Sequence, residues 1–249
     1  MQEHSGEIIM SRDFSIILPT RDRPGLLFNL LTSIRNNTAN IGAIEVLIAV
    51  DEDDVRQNAV IDRNQFPFAK FYKVKRSLNF SKDYYNFLCS KSTGRWVIAC
   101  NDDAEFITKH WDVYSKQILE NKIGNAPNII YGWIEDMLGP HRLNHLGNYC
   151  CFPLQGRDGI NALGYFFPPT IPTWGADIFL EQLYRNVGKI IHLPIVIKHI
   201  SIHNGLRQPD EIYKRIAMNQ VACNINPTPD QINTLIAAIR AGHKECLNA

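Results

Sequence analysis

Several signatures that would settle a chemistry outright are missing from these 249 residues. No GxGxxG follows the first apolar run, and GxxxxGK[ST], GxSxG and HExxH do not occur. Their absence argues against dinucleotide oxidoreductases, P-loop NTPases, typical serine hydrolases and zincin proteases. Charge of one sign is missing too. With 26 basic and 25 acidic residues the formal charge is +1, so nothing draws the chain toward nucleic acid or membrane surfaces. No apolar run approaches the ~20 residues of a membrane span, so no integral membrane segment is expected. The first residues, MQEHSGEIIMSRD, lack the basic start and apolar stretch of a signal peptide. The six cysteines (Cys89, Cys100, Cys150, Cys151, Cys223, Cys246) form no CxxC pair, and two are adjacent. That is a poor disulfide framework or zinc pattern, and reduced thiols in a cytoplasmic protein are the expectation.

What is present is an alternation of strand and helix signals. "FSIILPT" is an apolar run followed by "RDRPGLLFNLLTSIRNN", where Pro24 suits a first helical turn and Leu27, Leu30, Leu31 and Ile34 recur at helical spacing. "IEVLIAV", "AKFYKV" and "RWVIAC" are further strands. "FSKDYYNFLCSKSTG" reads as a helix with Ser81 as N-cap, and "TKHWDVYSKQILEN" as another. From about residue 135 the pattern loosens into a stretch rich in Gly, Pro and aromatics, of the kind that is functional or mobile more often than merely connecting. "GADIFLEQLYRNVG" returns to helix, "KIIHLPIVIKHISIH" is extended, and Thr228 caps a last helix. The reading is a single α/β domain over 1–249, built on a mostly parallel sheet flanked by helices.

Such sheets bind ligands beyond the carboxyl ends of their strands. Three of those ends carry polar clusters: Thr20-Arg21-Asp22, Asp51 to Asp54, and Asn101-Asp102-Asp103. Adjacent carboxylates repel unless exposed, protonated or shared with a cation. Asp102 and Asp103 therefore read either as an exposed acidic turn or as ligands for Mg²⁺ or Mn²⁺. Asp51 can accept from a nucleobase or ribose, while Asp53 and Asp54 read as a solvated loop. Arg21, Arg23, Lys75 and Arg76 stand at element ends, where a diphosphate would need them. Asp177, in a turn just before a helix, is either an N-cap or a general base, and His199 or His203 could complete a metal site. His110, His141, His145 and His192 have no assigned role.

Taken in order, "SIILPTRDRPGLLFNLLTSI", "IEVLIAVDEDD" and "RSLNFSKDYYNFLCSKSTGRWVIACNDDAEF" resemble the nucleotide-binding half of a GT-A glycosyltransferase of the family 2 type. The match covers roughly residues 14–106, leaving 107–249 as the acceptor half. Asn101-Asp102-Asp103 stands at the DxD position with Asn for its first carboxylate. The resemblance implies a Rossmann-like GT-A fold and transfer of a sugar from a nucleotide-sugar donor, with UDP the expected nucleotide. A carbohydrate or other hydroxyl-bearing acceptor, Mn²⁺ or Mg²⁺, and inversion complete the expectation. It also implies that Pro19, Thr20, Arg21 and Asp51 line the nucleoside pocket, with Arg76 near the base or phosphates. Asp102 would contact ribose or sugar, Asp103 and His199 (in preference to His203) would hold the metal, and Asp177 would be the base. The aromatic stretch from Tyr165 to Trp174 would form the acceptor wall. Two rivals remain: a non-catalytic nucleotide-sugar-binding protein, and a sugar nucleotidyltransferase, which would normally carry a Gly-rich basic loop after the first strand.

Overall fold

Near-continuous apolar runs build the centre of one eight-stranded sheet in the computed structural model, which describes residues 12–55, 63–137, 149–202, 205–219 and 222–247. Strand β1 (Phe14–Thr20) pairs in parallel with β2 (Ile44–Asp51), which pairs in parallel with β3 (Ala69–Val74). On its other side β1 takes β4 (Trp96–Ala99), again in parallel. Every residue of β2 and β4 is buried, as expected of strands covered on both faces. Four more strands complete the sheet: β5 (Ala104–Phe106), β6 (Tyr131–Glu135), β7 (Leu154–Gly156) and β8 (Ile190–His199). The spatial order is β3-β2-β1-β4-β7-β6-β8-β5. Strand β7 runs antiparallel to both β4 and β6, β5 runs antiparallel to β8, and β6 and β8 are parallel. The mixed, mostly parallel sheet flanked by helices is the architecture expected.

Helix α1 (Pro24–Asn37) buries Leu27, Leu30, Leu31 and Ile34, with Pro24 in the first turn. Helix α2 begins as a π-helix over Ser81–Asn86 and continues as an α-helix over Phe87–Lys91. The remaining helices are α3 (Trp111–Ile123), α4 (Arg157–Leu163), α5 (Ala176–Asn186), α6 (Glu211–Met218) and α7 (Pro229–Leu247). Among the described residues no helix is long and apolar enough to cross a membrane.

Two features set the sheet's register. Gly94 precedes β4 because a Cβ there would lie 2.5 Å from Ser15 Oγ and 2.6 Å from the Ser15 nitrogen. In that space the Gly94 N–H donates to Ser15 Oγ (2.8 Å), and Ser15 Oγ in turn donates to Glu45 Oε1 (2.8 Å). Thr93 and Lys70 also donate to the Glu45 carboxylate, closing a buried polar knot at the amino ends of β1, β2 and β4. Beside it, Phe14 stacks on Trp96 with centroids 5.1 Å apart and meets the edge of Trp111.

Three expectations need correction. The Ser81 hydroxyl donates to the Ile171 carbonyl (2.5 Å) instead of capping its helix, because the widened π turn faces it toward that loop. The stretch after residue 135 is more regular than its composition suggests, since it contains β7 and α4. A strand of three residues is too short to leave a periodic trace. Strands β5 and β6 and helix α6 were likewise not anticipated.

Candidate active site

Parallel pairing brings the carboxyl ends of β1, β2 and β4 to one edge, and a cavity of about 580 Å³ opens there. Pro19, Thr20, Arg21, Arg23, Asp51, Arg76, Asp102, Asp103, Asp177 and His199, all offered as site residues by the sequence, line this one cavity.

The turn after β1 divides its arginines between two carboxylate groups. Asp22 adopts a left-handed conformation (φ 51°), and its N–H donates to Asp54 Oδ2 (2.7 Å). On one side of this turn Arg21 donates to Asp51 Oδ2 (2.9 Å) and to Asp53 (2.5 Å). On the other, Arg23 donates to Asp102 Oδ1 (2.9 Å) and to Asp210. Asp51 is also bonded by the Tyr84 hydroxyl at 2.5 Å, with Arg76 3.9 Å away. Burial, reinforced by Asp51, pushes the Tyr84 phenol well up, so it stays a donor.

Asp102 and Asp103 are both buried, which rules out the exposed acidic turn. Their surroundings differ. Asp102 accepts from Thr20 Oγ1 (2.8 Å) and Arg23, yet burial and the neighbouring Asp103 push its pKa up. For Asp103, burial works in the same direction but is outweighed by His199, Arg207 and Arg23, which hold it below the usual carboxylate range. Asp103 Oδ2 accepts from Arg207 Nη2 (2.9 Å). Its Oδ1 is buried without a hydrogen-bond partner and lies 3.3 Å from His199 Nε2. One carboxylate oxygen and one imidazole nitrogen facing each other form a donor pair that fits Mn²⁺ or Mg²⁺.

Arg207 and Asp210 complete this cluster, and sequence reasoning missed both. Asp210 accepts from Arg23 and from Arg207 Nη1 (2.6 Å), and as the N-cap of α6 it accepts from the Tyr213 N–H (2.9 Å). The segment before α6 therefore reaches across the chain to the ends of β1 and β4. Asp-Glu at a helix start is a recognisable N-cap signal, but it does not say which distant arginines the cap will meet.

The π-helical turn of α2 aims three consecutive side chains at three parts of the site. Tyr84 meets Asp51, Tyr85 donates to Asn101 Oδ1 (2.8 Å), and Asn86 accepts from the Phe166 and Phe167 N–H groups. π-helical turns are frequent at functional sites.

Asp177 stands inside the first turn of α5, where its Oδ1 accepts from the Ile178 N–H (2.9 Å); Gly175 (φ 96°) holds the cap position, which removes the N-cap alternative for Asp177. Of the aromatic stretch, Phe167 and Trp174 line the cavity, and Trp174 packs against Tyr213 at 5.4 Å. Tyr165 and Phe166 do not: Tyr165 bonds Gln231, and Phe166 is fully buried in the core. Asp54 is buried and holds the β1 turn, which corrects its reading as a solvated residue. Lys75 is exposed and outside the cavity lining. His203, the other candidate ligand, lies outside the described residues, as do His141 and His145.

No protein-family model matches the chain, and no curated protein matches it. Solved structures do. S. aureus TarS residues 1–349, in complex with UDP, superposes with a TM-score of 0.57 at 13% identity, covering 93% of this chain and 71% of that one. The mannosyltransferase PcManGT from Pyrobaculum calidifontis, in complex with GDP-Man and Mn²⁺, gives a TM-score of 0.59 at 14% identity, covering 95% and 76%. A longer S. aureus TarS chain gives 0.54 at 14% identity, and this protein spans 43% of it. The fold is that of the GT-A glycosyltransferases.

Proposed function

We propose that the protein is a metal-dependent glycosyltransferase that moves a sugar from a nucleotide-sugar donor, UDP-linked in the first instance, to an acceptor hydroxyl with inversion. The observation that carries this reading is Asp103 Oδ1, a buried carboxylate oxygen without a hydrogen-bond partner, set 3.3 Å from His199 Nε2 in the cavity that Asp177 also lines. The two similar structures, solved with UDP and with GDP-Man and Mn²⁺, support it at the level of fold.

In this reading residues 14–106 hold the donor and the rest of the chain shapes the acceptor side. Pro19, Thr20, Arg21 and Asp51 line the nucleoside pocket, and Arg76 lies toward the phosphates. Tyr84 and Arg21 fix the Asp51 carboxylate, which then presents its remaining lone pairs to a base or ribose donor. Asp102, fixed by Thr20 and Arg23, faces the ribose or sugar. Asp103 and His199 would hold Mn²⁺ or Mg²⁺, which supplies positive charge to the diphosphate as the leaving group departs. Asp177 takes the acceptor's proton while the acceptor oxygen bonds the anomeric carbon. The bond from that carbon to the phosphate oxygen breaks, and its electron pair leaves with the nucleoside diphosphate. Trp174 and Phe167 offer ring faces to the acceptor.

A non-catalytic binding protein is the second reading, favoured by one observation: Arg207 and Arg23 already neutralise Asp103 and Asp102. Incubating the protein with a panel of nucleotide sugars and Mn²⁺ separates the two. The glycosyltransferase releases nucleoside diphosphate, and Asp103→Ala abolishes the release. Unchanged release by that variant would remove the metal assignment, and donor binding with no release in any combination would favour the second reading.

A further inference from the structure

Three strands converge on a second set of metal-ligating side chains. Asp136 follows the carboxyl end of β6, and His199 is the last residue of β8, which runs parallel to β6. Cys151 lies just before β7, whose antiparallel course brings its amino end to the same edge. The donor atoms of these three residues all lie within 4.8 Å of one another.

The backbone fixes this convergence. The His199 N–H donates to the Asp136 carbonyl (3.2 Å), so the two strand ends are tied together beneath their side chains. The ring of Phe152 meets the His199 imidazole edge-on at 5.2 Å and limits its rotation. The adjacent cysteines have different surroundings. Cys150 is fully buried, and its sulfur accepts from the Ile134 N–H (3.2 Å). Cys151 is only half-buried and lines the cavity. Of the pair, Cys151 is the thiol that faces the cavity, where a metal can reach it.

We propose that Asp136, Cys151 and His199 form a binding site for a thiophilic divalent cation of the zinc class, distinct from the Asp103 position and sharing His199 with it. The chemistry of the donors selects the ion. Thiolate, imidazole and carboxylate together suit Zn²⁺ and its analogue Co²⁺, whereas Mg²⁺ and Mn²⁺ prefer oxygen. Ligands on a tetrahedral zinc ion stand roughly 3.3–3.8 Å apart, so closure from separations within 4.8 Å takes at most about 1.5 Å. Three protein ligands leave a fourth position for water. Binding forms the metal–sulfur bond and releases the Cys151 proton to solvent. Because His199 Nε2 lies 3.3 Å from Asp103 Oδ1, the two cation positions share this imidazole, and loading one changes the affinity of the other in the proposed transferase. Only that last consequence depends on the glycosyltransferase reading.

The test is a Co²⁺ titration of the purified chain without donor, followed by its absorption spectrum. One equivalent should give a near-ultraviolet thiolate-to-cobalt charge-transfer band together with the intense visible bands of four-coordinate Co²⁺. The band should vanish in Cys151→Ser, persist in Asp103→Ala, and need at least tenfold more Co²⁺ in Asp136→Asn, each variant first checked for its fold by circular dichroism. A folded wild-type protein with no band at saturating Co²⁺ would overturn the site. So would a band that survives Cys151→Ser, or one lost with Asp103. Failure of donor turnover in the separate nucleotide-sugar assay would leave these spectra unaffected, so the two readings fail independently.

Discussion

Arg207 offers the sharpest perturbation, because it already occupies one oxygen of the carboxylate assigned to the cation. Its guanidinium lies 2.9 Å from Asp103 Oδ2, with side-chain exposures of 16% for Arg207 and 6% for Asp103. With the centres of charge about 4 Å apart, a unit-charge pair attracts by about 4 kcal/mol for an effective dielectric near 20, before desolvation is counted. Truncating one partner of a buried pair costs about 3–5 kcal/mol, because the other charge is left uncompensated. Asp103 retains His199 and Arg23 nearby, which favours the low end. Arg207→Ala should therefore lose about 3 kcal/mol in EDTA, a fall in Tm of roughly 6–12 °C for a chain of this size. Mn²⁺ should then do what Arg207 no longer does. At 100 times its Kd the ion returns about 2.7 kcal/mol, nearly the whole deficit. In the wild type Arg207 competes for the same carboxylate, so the ion alone should raise Tm much less. Thermal unfolding of both proteins in EDTA and in Mn²⁺ makes the comparison. Equal Mn²⁺-dependent shifts in the two proteins would refute the claim that guanidinium and cation compete for Asp103.

Asp177→Asn should lower transfer by about 10²–10⁴, the usual contribution of a positioned base, with donor affinity by calorimetry unchanged; full transfer by the variant would discard the base. Gly94→Ala forces a Cβ to 2.6 Å from the Ser15 nitrogen, against backbone that cannot swing aside. It should destabilise by about 1–3 kcal/mol in denaturant unfolding, and a smaller loss would mean the β1–β4 junction relaxes freely. Glu45 gives a pH dependence of definite sign. Burial raises its pKa, but the Thr93 N–H, Lys70 and Ser15 outweigh that and hold it below the reference value of 4.5. Its ionised form thus stabilises the fold above pH 4.5, and that contribution is lost as pH falls through the folded value. Glu45→Gln should accordingly be less stable than wild type at neutral pH, with the gap closing in acid; a pH-independent gap would contradict the assignment.

How much of this could be read in the chain depends on whether a residue's partners are local. Strands β1, β2 and β4 are legible because burial on both faces demands unbroken apolar runs, and the polar residues that end those runs then fall at one edge of the sheet. That is why Thr20, Asp51, Asp102 and Asp103 could be grouped before their geometry was known. Tyr84 and Tyr85 were hidden by the π turn, since an ordinary helical period places neither correctly, and no sequence rule marks where a helix will widen. Cys151 was hidden differently: its candidate co-ligands are 15 and 48 residues away (151 − 136 and 199 − 151), so no spacing motif links them. Arg207 and Asp210 are the most instructive case. They enter the site from a segment more than a hundred residues beyond Asp103, and only the folded chain shows them dividing Arg23 and the two carboxylates into one cluster. The division matters chemically. Thr20 and Arg23 occupy both oxygens of Asp102, whereas Asp103 keeps Oδ1 toward His199 and has only Arg207 on the other. Two adjacent, chemically identical residues are thereby made unequal, one fitted to orient and the other to take a cation. That inequality comes from partners 82 and 104 positions away, and the dipeptide itself carries no trace of it.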